Sequence, residues 1–141
     1  MQIRELVTTA ELEQAYPIIH ELRPQLGRDD YSALYEAARA CDGYSLVGLY
    51  DRDVLVAAMG LRVLHDFVHG RHLYVDDLVV TESRRANGLG ARLLQYAEQR
   101  ARSLGCRGLR LCTGVDHRDA QRFYERNGWS PRALAFKKAL R

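Results

Sequence analysis

Residues 73–104 constrain this chain more than any other stretch. They read LYVDDLVV, then TESRRANGLG, then ARLLQYAEQRARSL. An apolar run carrying two carboxylates leads into a polar turn ending Gly88-Leu89-Gly90, and a long helical pattern follows. A strand that feeds a glycine turn opening a helix is built to hold an anion. The first helical turn has backbone N–H groups without partners, and the helix dipole adds partial positive charge there. Glycine lets a phosphate come up to the backbone without meeting a Cβ.

With 141 residues, the chain is expected to form one domain with a core that needs no metal or disulfide staple. No apolar run approaches the ~20 residues that span a bilayer, and the opening MQIRELVTTAELEQ lacks a signal-peptide core. Cys41, Cys106 and Cys112 are an odd, scattered set, expected to be buried thiols in a reducing cytoplasm. The net charge is +3, and its positive part is almost all arginine, with Lys137 and Lys138 the only lysines. Arginine suits planar contacts to phosphate and carboxylate, yet so modest a net charge fits an ordinary solvated surface equally well.

Taken in order, residues 2–7 alternate as a strand, and Thr8 with Glu11 has the spacing of a capping box that starts a helix reaching Leu22. A second helix over 31–40 follows a cap at Asp29 or Asp30, with Leu34, Tyr35 and Ala38 inward. Strands over 44–50 and 54–64 form a hairpin about Asp51-Arg52-Asp53. A turn over 66–71 leads to the strand 73–80. The helix 88–104 stops at Gly105, and the strand 108–112 after it should be parallel to its predecessor. A helix over 117–127 and a last strand over 134–140 complete the pattern. The expected fold is α/β: a mixed, mainly antiparallel sheet with one parallel step and helices on both faces.

Three phosphate-binding patterns compete for the glycine turn. A Walker A loop requires Gly-Lys-Ser/Thr, but Ala91-Arg92 follows Gly90. A dinucleotide fingerprint needs Gly or Ala where Leu93 stands. The pattern R-x-x-G-x-G is met by Arg85, Gly88 and Gly90. In this context the stretch Val80 to Gly90 resembles the acetyl-coenzyme A motif of the GNAT superfamily of N-acetyltransferases. The segment from Ala120 through Phe123 and Tyr124 to Gly128-Trp129 is similar to the same family's A-x-x-F-Y-x-x-x-G-F/W helix. The element order matches over nearly the whole chain. His117 stands where the family often has Asn, and the usual closing pair of strands is reduced to one.

The resemblance implies a GNAT-like fold and acetyl-coenzyme A as co-substrate. It places the pyrophosphate on the turn Arg84, Arg85, Ala86, Asn87, Gly88, Leu89 and Gly90. It places the pantetheine arm along Leu78, Val79 and Val80, with a strand bulge admitting it and a backbone N–H there as oxyanion donor. His117, Ala120 and Phe123 become further cofactor contacts, and Tyr124 the acid that protonates the leaving thiolate. The alternative for Tyr124 is a core tyrosine packed on Phe123.

Amine acetylation also needs a proton acceptor. Asp76 and Asp77 lie on the cofactor strand, and because neighbours on a strand face opposite ways, only one is expected in the cleft. Asp76 is the favoured base, directly or through water. A structural ion pair with an arginine such as Arg62 is the alternative for either carboxylate. His65, His69 and His72 gather at a turn, where solvated or hydrogen-bonded histidines outnumber metal ligands, so no metal is expected. The arginines 100, 102, 107 and 110 lack the interleaved aromatics of a single-strand binder, which makes nucleic acid an improbable partner. The expected activity is direct acetyl transfer to a primary amine of a small molecule or protein. The rival is an acyl-coenzyme A-binding sensor without turnover. An incompletely closed sheet further suggests a homodimer.

Overall fold

A computed structural model describes residues 1–140. Ten elements follow one another: β1 (Gln2–Leu6), α1 (Thr9–Leu22), α2 (Arg28–Asp42), β2 (Ser45–Asp51), β3 (Val54–Asp66), β4 (Gly70–Val80), a 3-10 turn (Glu82–Arg84), α3 (Leu89–Ser103), β5 (Leu109–Leu111) and α4 (Arg118–Arg126). They fall into two units, residues 1–110 and 111–141.

In the first unit the strands lie in the order β1-β2-β3-β4-β5. The first three pairings are antiparallel. Between β4 and the segment entering β5, Arg107 N–H bonds the Arg71 carbonyl at 2.8 Å and Leu73 N–H bonds the Gly108 carbonyl at 3.0 Å. Partner numbers rise together, as in the expected parallel step. One core joins Leu6, Ala15, Ile18, Ile19, Leu46, Tyr50, Ala58 and Val79, which seats α1 on the sheet. The alternate strand residues Val47, Leu49, Ala57 and Met59 face the other way and are fully buried. From α3 come Leu89, Leu93, Leu94, Ala97 and Ala101, all buried along one helical stripe.

Local signals place most of the boundaries. Thr8 caps α1 in a complete capping box, its side chain accepting the Glu11 N–H while the Glu11 carboxylate accepts the Thr8 N–H. The second helix departs from expectation. It begins at Arg28 with Gly27 as its cap, so Asp29 and Asp30 occupy the first turn, where the helix dipole favours acids. Gly43 ends it in the left-handed region. Tyr35 packs against the core as expected, but Leu34, at 60% exposure, does not, and both join Ala38 in lining a cleft. Cys41 and Cys112 are exposed, against the expectation of buried thiols. Cys41 directly precedes the cleft residue Asp42 and is turned about 100° from it around the helix.

In the second unit α4 is followed by a chain end without regular structure. The strand expected over 134–140 is absent: that segment joins no ladder, and Leu134, Phe136 and Leu140 are 71%, 93% and 91% exposed. An alternating pattern specifies a strand only when a neighbouring edge accepts its hydrogen bonds.

Candidate active site

The register of β3 and β4 shapes the site. Gly60 pairs with Asp77 and Leu61 with Val75, so Asp76 is an extra residue with no partner on β3. This bulge breaks the strict alternation of the strand. In consequence Asp76 and Asp77 both line one cleft of about 930 Å³, which corrects the expectation that only one would. Its walls come from the end of α1, the α1–α2 loop and the stripe Tyr31, Leu34, Tyr35, Ala38 and Asp42 of α2. Those α2 positions recur at helical spacing, as one face of a helix must.

The two carboxylates are held differently. Asp76 accepts two hydrogen bonds of 2.7 Å from Nε and Nη2 of Arg62, a bidentate fork. That hydrogen-bonded carboxylate raises the Arg62 pKa further above its ordinary value. Asp77 takes the Tyr44 hydroxyl on Oδ2 at 2.7 Å and Arg23 Nη2 on Oδ1 at 3.2 Å. Arg23 is half exposed, and the same nitrogen also donates to the Asp76 carbonyl at 3.3 Å. The ion-pair alternative therefore describes Asp76 and Arg62 well. Asp42 enters no ion pair among the described residues and leaves the cleft with an unmatched negative charge.

At the end of β4 the glycine turn is braced from below and open above. Glu21, near the end of α1, accepts the Thr81 hydroxyl at 2.7 Å and the Glu82 N–H at 2.9 Å, and pairs with Arg85 at 3.6 Å. Arg84 binds Asp51 at 2.6 Å, and Arg85 Nε reaches back to the Val80 carbonyl at 3.1 Å. Asn87 donates to the Arg84 carbonyl at 3.1 Å. The Arg84 and Arg85 N–H groups are already bonded to the Thr81 and Glu82 carbonyls, so the stretch of amides expected to face a pyrophosphate loses its first two members. The first bond into α3 runs from Arg92 N–H to the Gly88 carbonyl, which leaves the N–H groups of Leu89, Gly90 and Ala91 ahead of the helical ladder. Ala86 and Gly88 have φ of 65° and 76°, and no atom lies within 4 Å of where a Gly88 Cβ would sit. Left-handed residues in such a turn gather successive N–H groups into a concave anion nest. A diphosphate fits this donor set.

Leu78, Val79 and Val80 pair with Met59, Ala58 and Ala57 on β3 and lead directly into the turn. The second unit carries the remaining candidates. His117 precedes α4, and Ala120, Phe123 and Tyr124 lie on it. The Tyr124 ring meets Phe123 edge-on at 5.3 Å and Trp129 at 6.0 Å.

At the far end of β4, Asp66, His69 and His72 bring potential ligand atoms within 4.8 Å of one another. His72 is buried. Its Nδ1 faces the Gly70 carbonyl at 2.9 Å, and its Nε2 accepts from Arg110 Nε at 3.1 Å. Arg110 also approaches Asp66 at 3.6 Å, so a guanidinium occupies the place of a cation there. The Asp66 carboxyl is held down at about 2, chiefly by hydrogen bonds from the His69 side chain and N–H.

Sequence reasoning singled out the carboxylates and the turn. It missed Tyr44, Gly60, Arg23 and Glu21, and saw Arg62 only as a partner. A glycine inside an otherwise bulky apolar strand was the available signal for Gly60, because it marks a close approach.

Comparison with known proteins shows the family. Residues 7–129 match the model of the Acetyltransferase (GNAT) family. An uncharacterized N-acetyltransferase of Bacillus subtilis (strain 168) is 32% identical over 99% of both chains. The aminoalkylphosphonate N-acetyltransferase of Salmonella typhimurium (strain LT2) is 34% identical over 94% of this chain and 88% of its own. Among solved structures, the aminoglycoside N-acetyltransferase AAC(6')-Iy in complex with CoA superposes with a TM-score of 0.83 at 19% identity, covering 99% of this chain and 95% of its own. The chain belongs to the GNAT acetyltransferase family and is an acyltransferase.

Proposed function

We propose that the protein transfers an acetyl group from acetyl-coenzyme A directly to a primary amine of a small molecule bound in the cleft beside Asp76 and Asp77. The observation that carries this reading is the adjacency on one strand of an open anion nest and a bulged carboxylate pair. The co-substrate supplies an acetyl group activated as a thioester. The backbone N–H groups from Ala86 to Gly90 hold its pyrophosphate, and Leu78 to Val80 offer strand backbone to its arm. A backbone N–H near Leu78 or Val79 stabilises charge developing on the carbonyl oxygen.

Asp77 is the better proton acceptor of the two. Both oxygens of Asp76 are locked by Arg62, whereas the Asp77 oxygen facing Arg23 has one longer contact from a half-exposed side chain. Asp76 then serves to hold Arg62 and the bulge. The family motif gives Tyr124 the role of proton donor to the departing thiolate, assisted by cofactor contacts from His117, Ala120 and Phe123. Replacing Tyr124 by Phe should lower turnover more than affinity for acetyl-coenzyme A. The unmatched Asp42 favours a cationic acceptor. Aminoalkylphosphonates and aminoglycosides, named for relatives, belong in the panel beside simple amines and peptide N-termini.

The test is calorimetric titration with acetyl-coenzyme A followed by coenzyme A release across that panel. Release with one acceptor supports the reading, and binding with no release on any amine refutes it. A homodimer is proposed too, because the apolar, unladdered residues 134–140 offer a strand to a second copy. A monomer in sedimentation at micromolar concentration sinks that idea. No described helix is long and apolar enough to cross a membrane, and all three cysteines are free, which supports a reducing cytoplasm as the location.

A further inference from the structure

Tyr44 is the residue just after Gly43, the left-handed terminator of α2, and just before β2. Its ring meets Tyr35 edge-on at 6.2 Å, and its hydroxyl reaches Asp77 Oδ2 at 2.7 Å. The path of that bond crosses directly over Gly60, the β3 partner of Asp77. A Cβ at Gly60 would lie 2.0 Å from the Tyr44 hydroxyl oxygen and 2.6 Å from Asp77 Oδ2. Glycine weakens a strand interior, so its presence between Met59 and Leu61, both fully buried, calls for a local reason. Here it is the only residue that leaves the hydrogen bond room.

We propose that Tyr44, seated over Gly60, is a positioning residue that fixes one oxygen of Asp77 and thereby aims the other at the acceptor amine. The proposal rests on the acetyl-transfer reading above. Burial, followed by the negative charge of Asp77 and their hydrogen bond, pushes the Tyr44 phenol far above its ordinary pKa. Tyr44 is therefore held as a donor to Asp77.

An acceptor amine arrives as an ammonium ion and must shed a proton before its lone pair attacks. That proton passes from the amine nitrogen to Asp77 Oδ1, directly or through one water, as Arg23 yields its single contact. The N–C bond then forms and the C–S bond breaks as the tetrahedral adduct collapses, and the second proton shed by the nitrogen balances the one taken up by the departing thiolate. Without Tyr44 the carboxylate is free to rotate about its Cβ–Cγ bond and to turn both oxygens toward Arg23. Proton removal then loses its fixed geometry, while the anion nest and the cleft walls are untouched.

The experiment compares wild type, Tyr44→Phe and Gly60→Ala on two primary amines of similar size but different basicity, ethylamine and trifluoroethylamine, beside the best acceptor from the panel. Tyr44→Phe keeps the ring and its packing. It should lower kcat about ten-fold or more on the basic amines, a part of the 10²–10⁴-fold that a positioned base contributes. On trifluoroethylamine, which is largely neutral at pH 7, the loss should shrink to about two-fold, because little proton removal is left for the base. Affinity for acetyl-coenzyme A should not change. Gly60→Ala, with Tyr44 intact, should reproduce the same dependence on basicity. An equal loss on basic and neutral amines, or no loss, overturns the proposal while leaving acetyl transfer standing. No coenzyme A release by wild type on any amine overturns both.

Discussion

The cleft floor and the glycine turn lie on the same strand and solve opposite problems. On the floor every charged group next to the bulge has a partner: Asp76 has Arg62, and Asp77 has Tyr44 and Arg23. At the turn the side chains are tied down by Glu21, Asp51 and Val80, and the backbone N–H groups ahead of α3 are left open. A group that must move a proton works best in one fixed orientation, where no reorganisation is needed at the moment of reaction. A group that must catch a large anion needs open donors on a rigid frame. One strand serves both ends because a bulge turns its middle toward the cleft and a left-handed turn opens its end.

Disabling one end and measuring both tests whether they act independently. Asp77→Asn should reduce kcat by about 10²-fold or more, the low end for a positioned base, with calorimetric affinity for acetyl-coenzyme A unchanged. A coupled loss of affinity would mean the two ends are not independent. Asp76→Asn should act mainly on folding. It deprives the partly buried Arg62 of its ionic partner at a cost of about 1–3 kcal/mol, read as a lower urea midpoint, with a smaller effect on kcat than Asp77→Asn. Gly88→Ala addresses the other end. A Cβ in the left-handed region costs roughly 1–2 kcal/mol, and the expected readout is about ten-fold weaker binding of acetyl-coenzyme A with kcat retained at saturation.

The smallest effect lies outside both ends, in the Thr8–Glu11 box. Backbone hydrogen bonds from Thr8 and Val7 hold the Glu11 carboxyl down at about 2, against an ordinary 4.5. A folded-state pKa below the unfolded one makes the contribution full above about pH 4.5 and lost as the pH falls toward 2. Glu11→Gln should flatten acid unfolding in that window, and Thr8→Ala should cost about 1 kcal/mol at neutral pH.

Legibility in the sequence follows chain distance. The capping box, the left-handed Gly105 and the strand-turn-helix passage are each built from hydrogen bonds spanning a few residues, and each was readable in advance. The cap of α2 was misplaced by two or three residues, because Gly27, Asp29 and Asp30 are all acceptable starts and the α1–α2 loop decides among them. The strand expected over 134–140 does not form, because its alternating residues specify a face without supplying a neighbour.

Sequence alone determined the family-bearing turn, the order of elements as far as α4 and the presence of two carboxylates on the strand that leads into the turn. Tertiary structure decided how those carboxylates are held. Asp77 and Tyr44 are 33 residues apart, and Glu21 and Thr81 are 60 apart. The pairing of Asp77 with Gly60 beneath Tyr44 depends on the one-residue slip that leaves Asp76 unpaired between Gly60 and Leu61. Strand register is set by packing across the whole sheet, and one extra residue changes which side chains share a face. The family resemblance implies a bulge on this strand, but no local pattern places it at Asp76, and on its position rest the pairing of Gly60 with Asp77 and the placing of Tyr44.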